Sequence, residues 1–369
     1  VLQIGDIHFG VNNSNKQVFE SQMEFFEVQV FPFILANKIT DVMSLGDVFH
    51  DRNKVDGYIM QELKSRFFGW FERNKVNFHV IVGNHDCYYK NTLSHHMFKE
   101  NFNEFKYCTY YDEITKLELG PYRFAMVPWV VDHTTLQIPT DVDIVIGHFE
   151  IVSFPMMRGV DSIKGLEINT FSQFQLVESG HFHIQSTKGN ISYLGSTQQL
   201  DWGDFNEPKG FWLLKDNFQL EFIENTVNPK FVKVIYDESE EKVKLTVYGL
   251  YDVDTQISPK ECVEIARNHY VKLITNVVKS QSKLDKLHMA MVAESKNNAK
   301  IELIAGHEVL DDLDFAKLEE NIKENASVND TIKNFVIEMP PVDDIDQEML
   351  AQVFDELYRE TKLAMMENE

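Results

Sequence analysis

The stretch Ile39-Thr40-Asp41-Val42-Met43-Ser44-Leu45-Gly46-Asp47-Val48-Phe49-His50 runs an apolar segment straight into a glycine, an aspartate and a histidine. A short aliphatic run reads as a strand, and polar groups just past its end face the edge where open α/β sheets bind ligands. Four more blocks have the same form. Gly5-Asp6-Ile7-His8 follows Val1-Leu2-Gln3-Ile4, and Gly83-Asn84-His85-Asp86 follows Phe78–Val82. Gly147-His148-Phe149-Glu150 follows Asp143–Ile146, and Gly180-His181-Phe182-His183 follows Phe174–Val177. One such block is a weak signal; five in order point to a shared site.

The residue types suit a pair of divalent cations. Asp6 and His8 alternate along a strand end, so both point to one face and can grip one cation. Asp47 is the natural bridging carboxylate, because two cations about 3.5–4 Å apart need a shared anionic ligand. Asn84, His148 and His181 offer a carbonyl oxygen and two imidazoles to the second cation, and His183 can return to the first. A set of oxygen and nitrogen donors without sulfur suits Mn2+, with Mg2+, Fe or Zn as alternatives. Such a pair activates water for attack on phosphorus. His85, beside Asn84, can face a substrate and protonate a leaving oxygen, and Asp86 is positioned to hold its other ring nitrogen. His50 either reaches a substrate phosphate or packs against the first helix. Arg52 is either a phosphate contact or a solvated turn residue. His79, His95, His96, His133, His269, His288 and His307 read as ordinary core or surface histidines.

Outward from the blocks, the predicted fold class is α+β. Residues 1–224 mix strands with helices expected at 17–38 and 57–74, which suits a two-sheet sandwich flanked by helices. The expected later strands are 122–128, 143–146, 174–177, 191–194, 210–214 and 219–223. Asn225–Pro229 reads as a linker. Residues 230–306 follow a β-β-α-β-α-β order, a small α+β domain whose first helix starts at Ser258-Pro259. Residues 311–366 read as helical, broken at Pro340-Pro341, with Leu350, Val353 and Leu357 on one stripe among acidic neighbours. That stripe either docks on its own domain or receives a partner.

The 369 residues are 43% hydrophobic and 25% charged, as in ordinary globular proteins. No apolar run approaches the roughly 20 residues of a membrane span, so no membrane association is expected. Cys87, Cys108 and Cys262 are scattered without a paired motif, which fits a reducing, cytoplasmic setting. The formal charge of -23 is unusual for an enzyme acting on nucleic acid. Residues 307–369 supply much of it, with 18 acidic and 5 basic side chains, and bound cations would offset several acids near the blocks.

In this order the blocks resemble the calcineurin-like metallophosphoesterase superfamily. More narrowly they resemble the Mre11/SbcD nuclease family, most of all its branch in T4-like bacteriophages. The narrower resemblance rests on Phe49-His50 after Gly46-Asp47, on Asp86 in its block, on the closing block at 180–183, and on Gly195-Ser196 and Gly210-Phe211-Trp212. It implies a Mn-dependent DNA exonuclease and endonuclease for end processing and recombination. One Mn2+ would lie on Asp6, His8, Asp47 and His183, and the other on Asp47, Asn84, His148 and His181. His85 becomes the phosphate-facing catalytic histidine and His50 a residue near the exonuclease path. Residues 230–306 become a DNA-capping domain, and 311–366 the segment that binds a Rad50-like SMC-type ATPase. A homodimer through helices at 57–74 or near Asn91 is also implied, in the cytoplasm of an infected bacterial cell. The competing expectations are a stand-alone phosphodiesterase or phosphatase, and an adaptor without turnover. The first should carry more arginines near the blocks than Arg52; the second is at odds with a complete ligand set.

Overall fold

The computed structural model describes residues 1–305, apart from 53, 241, 252 and 296–300. The helical segment expected at 311–366 lies outside the described residues.

Two six-stranded sheets carry the five blocks. The first orders its strands Leu220–Glu224, Gly210–Leu214, Leu2–Ile4, Asp41–Ser44, Asn77–Ile81, Cys108–Tyr111. Its four strands from Leu2–Ile4 onward run parallel, and Gly210–Leu214 joins antiparallel to Leu2–Ile4. The second orders Ser186–Lys188, Ile191–Tyr193, Leu176–Gly180, Ile144–His148, Tyr122–Val127, Thr115–Leu119, with a parallel centre. Parallel pairing puts the carboxyl ends of neighbouring strands side by side, so blocks distant in sequence open onto the same edge.

The face between the sheets is apolar, built from Met43, Leu45, Ile81, Phe124, Met126, Ile144, Ile146 and Leu194. Outside the first sheet, two helical rods bury a cluster of phenylalanines. One rod runs through Lys16–Phe25, Phe26–Val30 and Phe31–Ala36; the other through Gly57–Glu62, Leu63–Phe68 and Gly69–Asn74. The middle segment of each is π-helical. Phe67 packs on Phe9, Phe26, Phe31, Phe71 and Phe78 with ring centroids 4.9–6.1 Å apart. This aromatic wedge fixes the rods against the strands that present Asp6, His8 and Asp47.

The third sheet, Thr255–Ile257, Lys244–Tyr248, Phe231–Asp237, Tyr270–Thr275, Glu302–Ala305, has its own core of Val232, Val234, Leu245, Val271, Leu273 and Met291. Helices Pro259–Asn268 and Gln281–Glu294 supply Cys262, Leu284 and Leu287 to it. Ser258 and Glu261 close a reciprocal capping box at the start of the first helix. The architecture is the α+β one expected, with strands the sequence reading lacked at Cys108–Tyr111, Thr115–Leu119 and Thr255–Ile257. A helix expected near Asn91 starts only at Met97. The segment read as a linker is pinned: Asn225 donates to the Thr197 carbonyl at 2.8 Å, and Asn228 to the Ser21 hydroxyl at 2.9 Å.

Candidate metal centre

Ile144–His148 and Leu176–Gly180 extend further than the apolar runs suggested, and Gly180 pairs with His148 in register. The block glycines there belong to the strands. Their role is close approach: a Cβ on Gly180 would meet the Leu45 carbonyl oxygen at 2.4 Å and Asp6 Oδ1 at 2.5 Å. One on Gly83 would meet the Asp47 amide nitrogen and Oδ1, both at 2.3 Å. Backbone strain collects at the same place, since His8 (φ 55°), Asp47 (φ 49°) and His181 (φ 89°) are left-handed without being glycine. Such conformations persist where the surrounding structure enforces them, often at functional sites.

Two clusters result. In the first, Asp6, His8 and His183 bring ligand atoms within 4.8 Å of one another; in the second, Asp47, His148 and His181 do the same. Asp47 Oδ2 stands between them, 3.2 Å from His148 Nε2 and 3.9 Å from His8 Nε2. Asn84 Oδ1 joins the second cluster, 2.9 Å from His148 Nε2 and 3.1 Å from His181 Nδ1. His148 Nδ1 lies 2.7 Å from the Leu45 carbonyl oxygen; donating to it leaves Nε2 to coordinate. Asp6 is held by the His181 amide at 3.0 Å. Lone pairs of carboxylate, amide and imidazole thus converge in a nearly buried space, and a divalent cation in each cluster would satisfy them.

Without a cation the ligands hold protons unevenly, and binding one would release those favoured on Asp6 and His148. Burial raises the Asp6 carboxyl. Burial also opposes ionisation of Asp47, but His148, His8 and His85 more than offset it and hold that carboxylate ionised. Burial disfavours a charged His148, yet Asp47 and Asp6 push it up to about 9. His181 is pushed down to about 3 by burial and by His148, and burial lowers His8 and His183 too. Three imidazoles kept neutral beside an ionised carboxylate are what cation binding requires.

His85 and His50 lie on the open side. With His8 they form a third convergent group, the His50 and His85 rings stacking at 5.7 Å. The expected hold of Asp86 on the His85 ring gives way to a different one. His85 Nδ1 is hydrogen-bonded to the His50 carbonyl oxygen, and Asp86 accepts from the amides of Phe49 (3.0 Å) and Gly83 (2.9 Å). Asp86 therefore ties the second block to the third, and burial with the Asp47 charge pushes it up to about 7.

Two contributors escaped the sequence reading. Trp129 flanks the second cluster, its ring 5.1 Å from His181 and 6.0 Å from His148. Lys209, buried, donates to the His183 carbonyl at 2.7 Å and to Asp204 at 2.6 Å, steadying the last block. A lone tryptophan after a strand and a lone lysine before a glycine carry no motif.

Fold and site together define a two-metal phosphoesterase. Residues 1–185 match the family of calcineurin-like phosphoesterases, and the chain belongs to that family. It is 26% identical over 366 residues to Exonuclease subunit 1 of Enterobacteria phage T4, an alignment covering 98% of each chain. Among the described residues, no helix is long and apolar enough to cross a membrane.

Proposed function

We propose that the protein is the nuclease subunit of a DNA-processing complex, a Mn-dependent exonuclease and endonuclease that hydrolyses phosphodiester bonds. The observation that carries this reading is the position of Asp47 Oδ2 between two histidine-rich clusters, with His85 and His50 on the open side. Likeness along the whole length to a phage exonuclease subunit supports DNA as the substrate. Asp6, His8, Asp47 and His183 would hold one Mn2+, and Asp47, Asn84, His148 and His181 the other. When bound, the cations supply a water activated near neutral pH and neutralise charge on the phosphoryl group. His85, with Nδ1 committed to the His50 carbonyl, presents Nε2 to the substrate and passes a proton to the departing 3′ oxygen. His50 and Asp86 complete its surroundings, one by ring stacking and backbone, the other by fixing the loop.

Residues 230–306 would cap DNA over this centre, and 311–366 would bind an SMC-type ATPase of the Rad50 kind. The assembly would be a homodimer through the helical face of residues 1–224. The test is Mn-dependent cleavage of linear and hairpin DNA, compared with a nitrophenyl phosphodiester and a phosphomonoester. Cleavage of both DNA forms with little phosphomonoester turnover is expected. Turnover of the phosphomonoester with intact DNA would replace this reading by a phosphatase.

A further inference from the structure

The segment from Ser196 to Lys209 touches the metal centre at both ends and the third sheet at its middle. At its start, Asp6 bridges Ser196, and the Thr197 amide donates to the Asp6 carbonyl at 3.1 Å. The Ser196 amide donates to the His183 carbonyl at 3.3 Å, and Lys209 Nζ, at the far end, donates to the same carbonyl. The Lys209 ammonium is balanced by Asp204, buried as well, whose second oxygen accepts from the Leu200 amide at 2.8 Å. Both residues held in this way, Asp6 and His183, belong to the first cluster. Among the described residues, no hydrogen bond from this segment reaches Asn84, His148 or His181.

The middle of the segment carries Trp202 and Phe205, and the third sheet grips both rings. Trp202 meets Phe231 edge to face at 4.9 Å, and Phe231 stacks on Tyr270 at 4.8 Å. Lys272 Nζ stands 4.3 Å from the centre of the Trp202 ring, and Lys233 Nζ 4.4 Å from that of Phe205. A cation over an aromatic face is attracted to it. A Cβ on Gly249 would meet Phe205 at 2.5 Å, and the Phe231 amide donates to Gln199 at 2.7 Å. Trp202 and Asp204 share one 3₁₀ turn, Trp202–Asp204, so a shift of the ring moves the carboxylate that balances Lys209. A buried ammonium without its partner is strongly disfavoured, and the His183 backbone follows the lysine. Metal ligands tolerate displacements of only about 0.2 Å.

Resting on the two-cation reading of the centre, and not on the nature of its substrate, we infer that Trp202, Asp204 and Lys209 are positioning residues for the cation of the first cluster. The third sheet sets the affinity of that cation through them. The cation on Asn84, His148 and His181 is affected far less. Whatever shifts the third sheet is therefore felt at one cation, and by linkage that cation steadies the third sheet.

The test is Mn2+ binding to the full chain, followed by electron paramagnetic resonance of the free ion. Two backgrounds isolate the sites: H148A leaves the first cluster, and H8A leaves the second. In H148A, W202A is expected to raise the Kd about tenfold or more, whereas W202F should keep it. K272A, placed on the third sheet itself, should raise it in the same direction by a smaller factor. In H8A, all three substitutions should leave the Kd where it was. Equal weakening in both backgrounds would reduce the effect to a general loss of packing and overturn the inference. An unchanged Kd for W202A and K272A in H148A would overturn it too, with circular dichroism showing each variant folded. A wild type that binds a single Mn2+ at saturation would sink the two-cation reading and this inference together. Two bound ions with an indifferent first site would sink the inference alone.

Discussion

At the residue scale, His85 and Glu178 make opposite uses of burial. His85 sits at the open side of the metal centre with one ring nitrogen fixed by the His50 backbone. H85A should leave metal content unchanged while lowering phosphodiester cleavage about 10²–10⁴-fold, read by elemental analysis beside a nuclease assay. Undiminished cleavage would remove it from the mechanism. Glu178 lies fully buried and accepts from Gln3 Nε2, while Gln3 Oε1 and Glu178 Oε1 face no other partner among the described residues. A proton on Glu178 can close this pair reciprocally, and burial pushes its carboxyl up to about 8. The folded state thus holds that proton more tightly than the unfolded chain. Its contribution to stability is full below about pH 4.5 and is lost as pH rises towards 8, at up to about 1.4 kcal/mol per pH unit. E178Q should flatten this decline in urea titrations between pH 4.5 and 8.5. An unchanged slope would show that another group carries it.

At the scale of elements, the helical rods and the strands they back act as one packed layer. Phe67 is the ring most surrounded by others, and F67A should cost about 3–5 kcal/mol, measured as a drop in the urea midpoint. A loss below about 1 kcal/mol would mean the rods are not packed as described. The periodic apolar faces made these rods legible in the sequence, and the strand-then-polar blocks made the central strands legible. Their π-helical middles were not, since a register change of one hydrogen bond leaves little mark on hydrophobic spacing. Edge strands such as Thr115–Leu119, which alternates exposed with half-buried residues, lack the apolar run that betrays a buried strand. In the site, Asp6, His8 and His183 gather in one cluster and Asp47, His148 and His181 in another, because parallel strands align their carboxyl ends. The partner of the His85 ring was misread for a physical reason: adjacency in sequence suggested Asp86, but its carboxylate turns inward to two amides. Trp129 and Lys209 were invisible, since each reaches the centre only through folding.

At the scale of the whole molecule, the proposed function would place chemistry, capping and partner binding on successive stretches of one chain. The segment at 311–366 carries a large share of the negative charge and the stripe at Leu350, Val353 and Leu357. L350D/L357D should abolish capture of the SMC-type ATPase while leaving Mn-dependent hydrolysis of a nitrophenyl phosphodiester intact. Retained capture would reject that surface. The central claim is that Asp47 is shared by two cations. Electron paramagnetic resonance of the protein titrated with Mn2+ tests it most directly. The account predicts two ions per chain with the exchange coupling of a close pair, about 3.5–4 Å apart, and its loss in D47N. Two uncoupled ions, or a single ion at saturation, would contradict it.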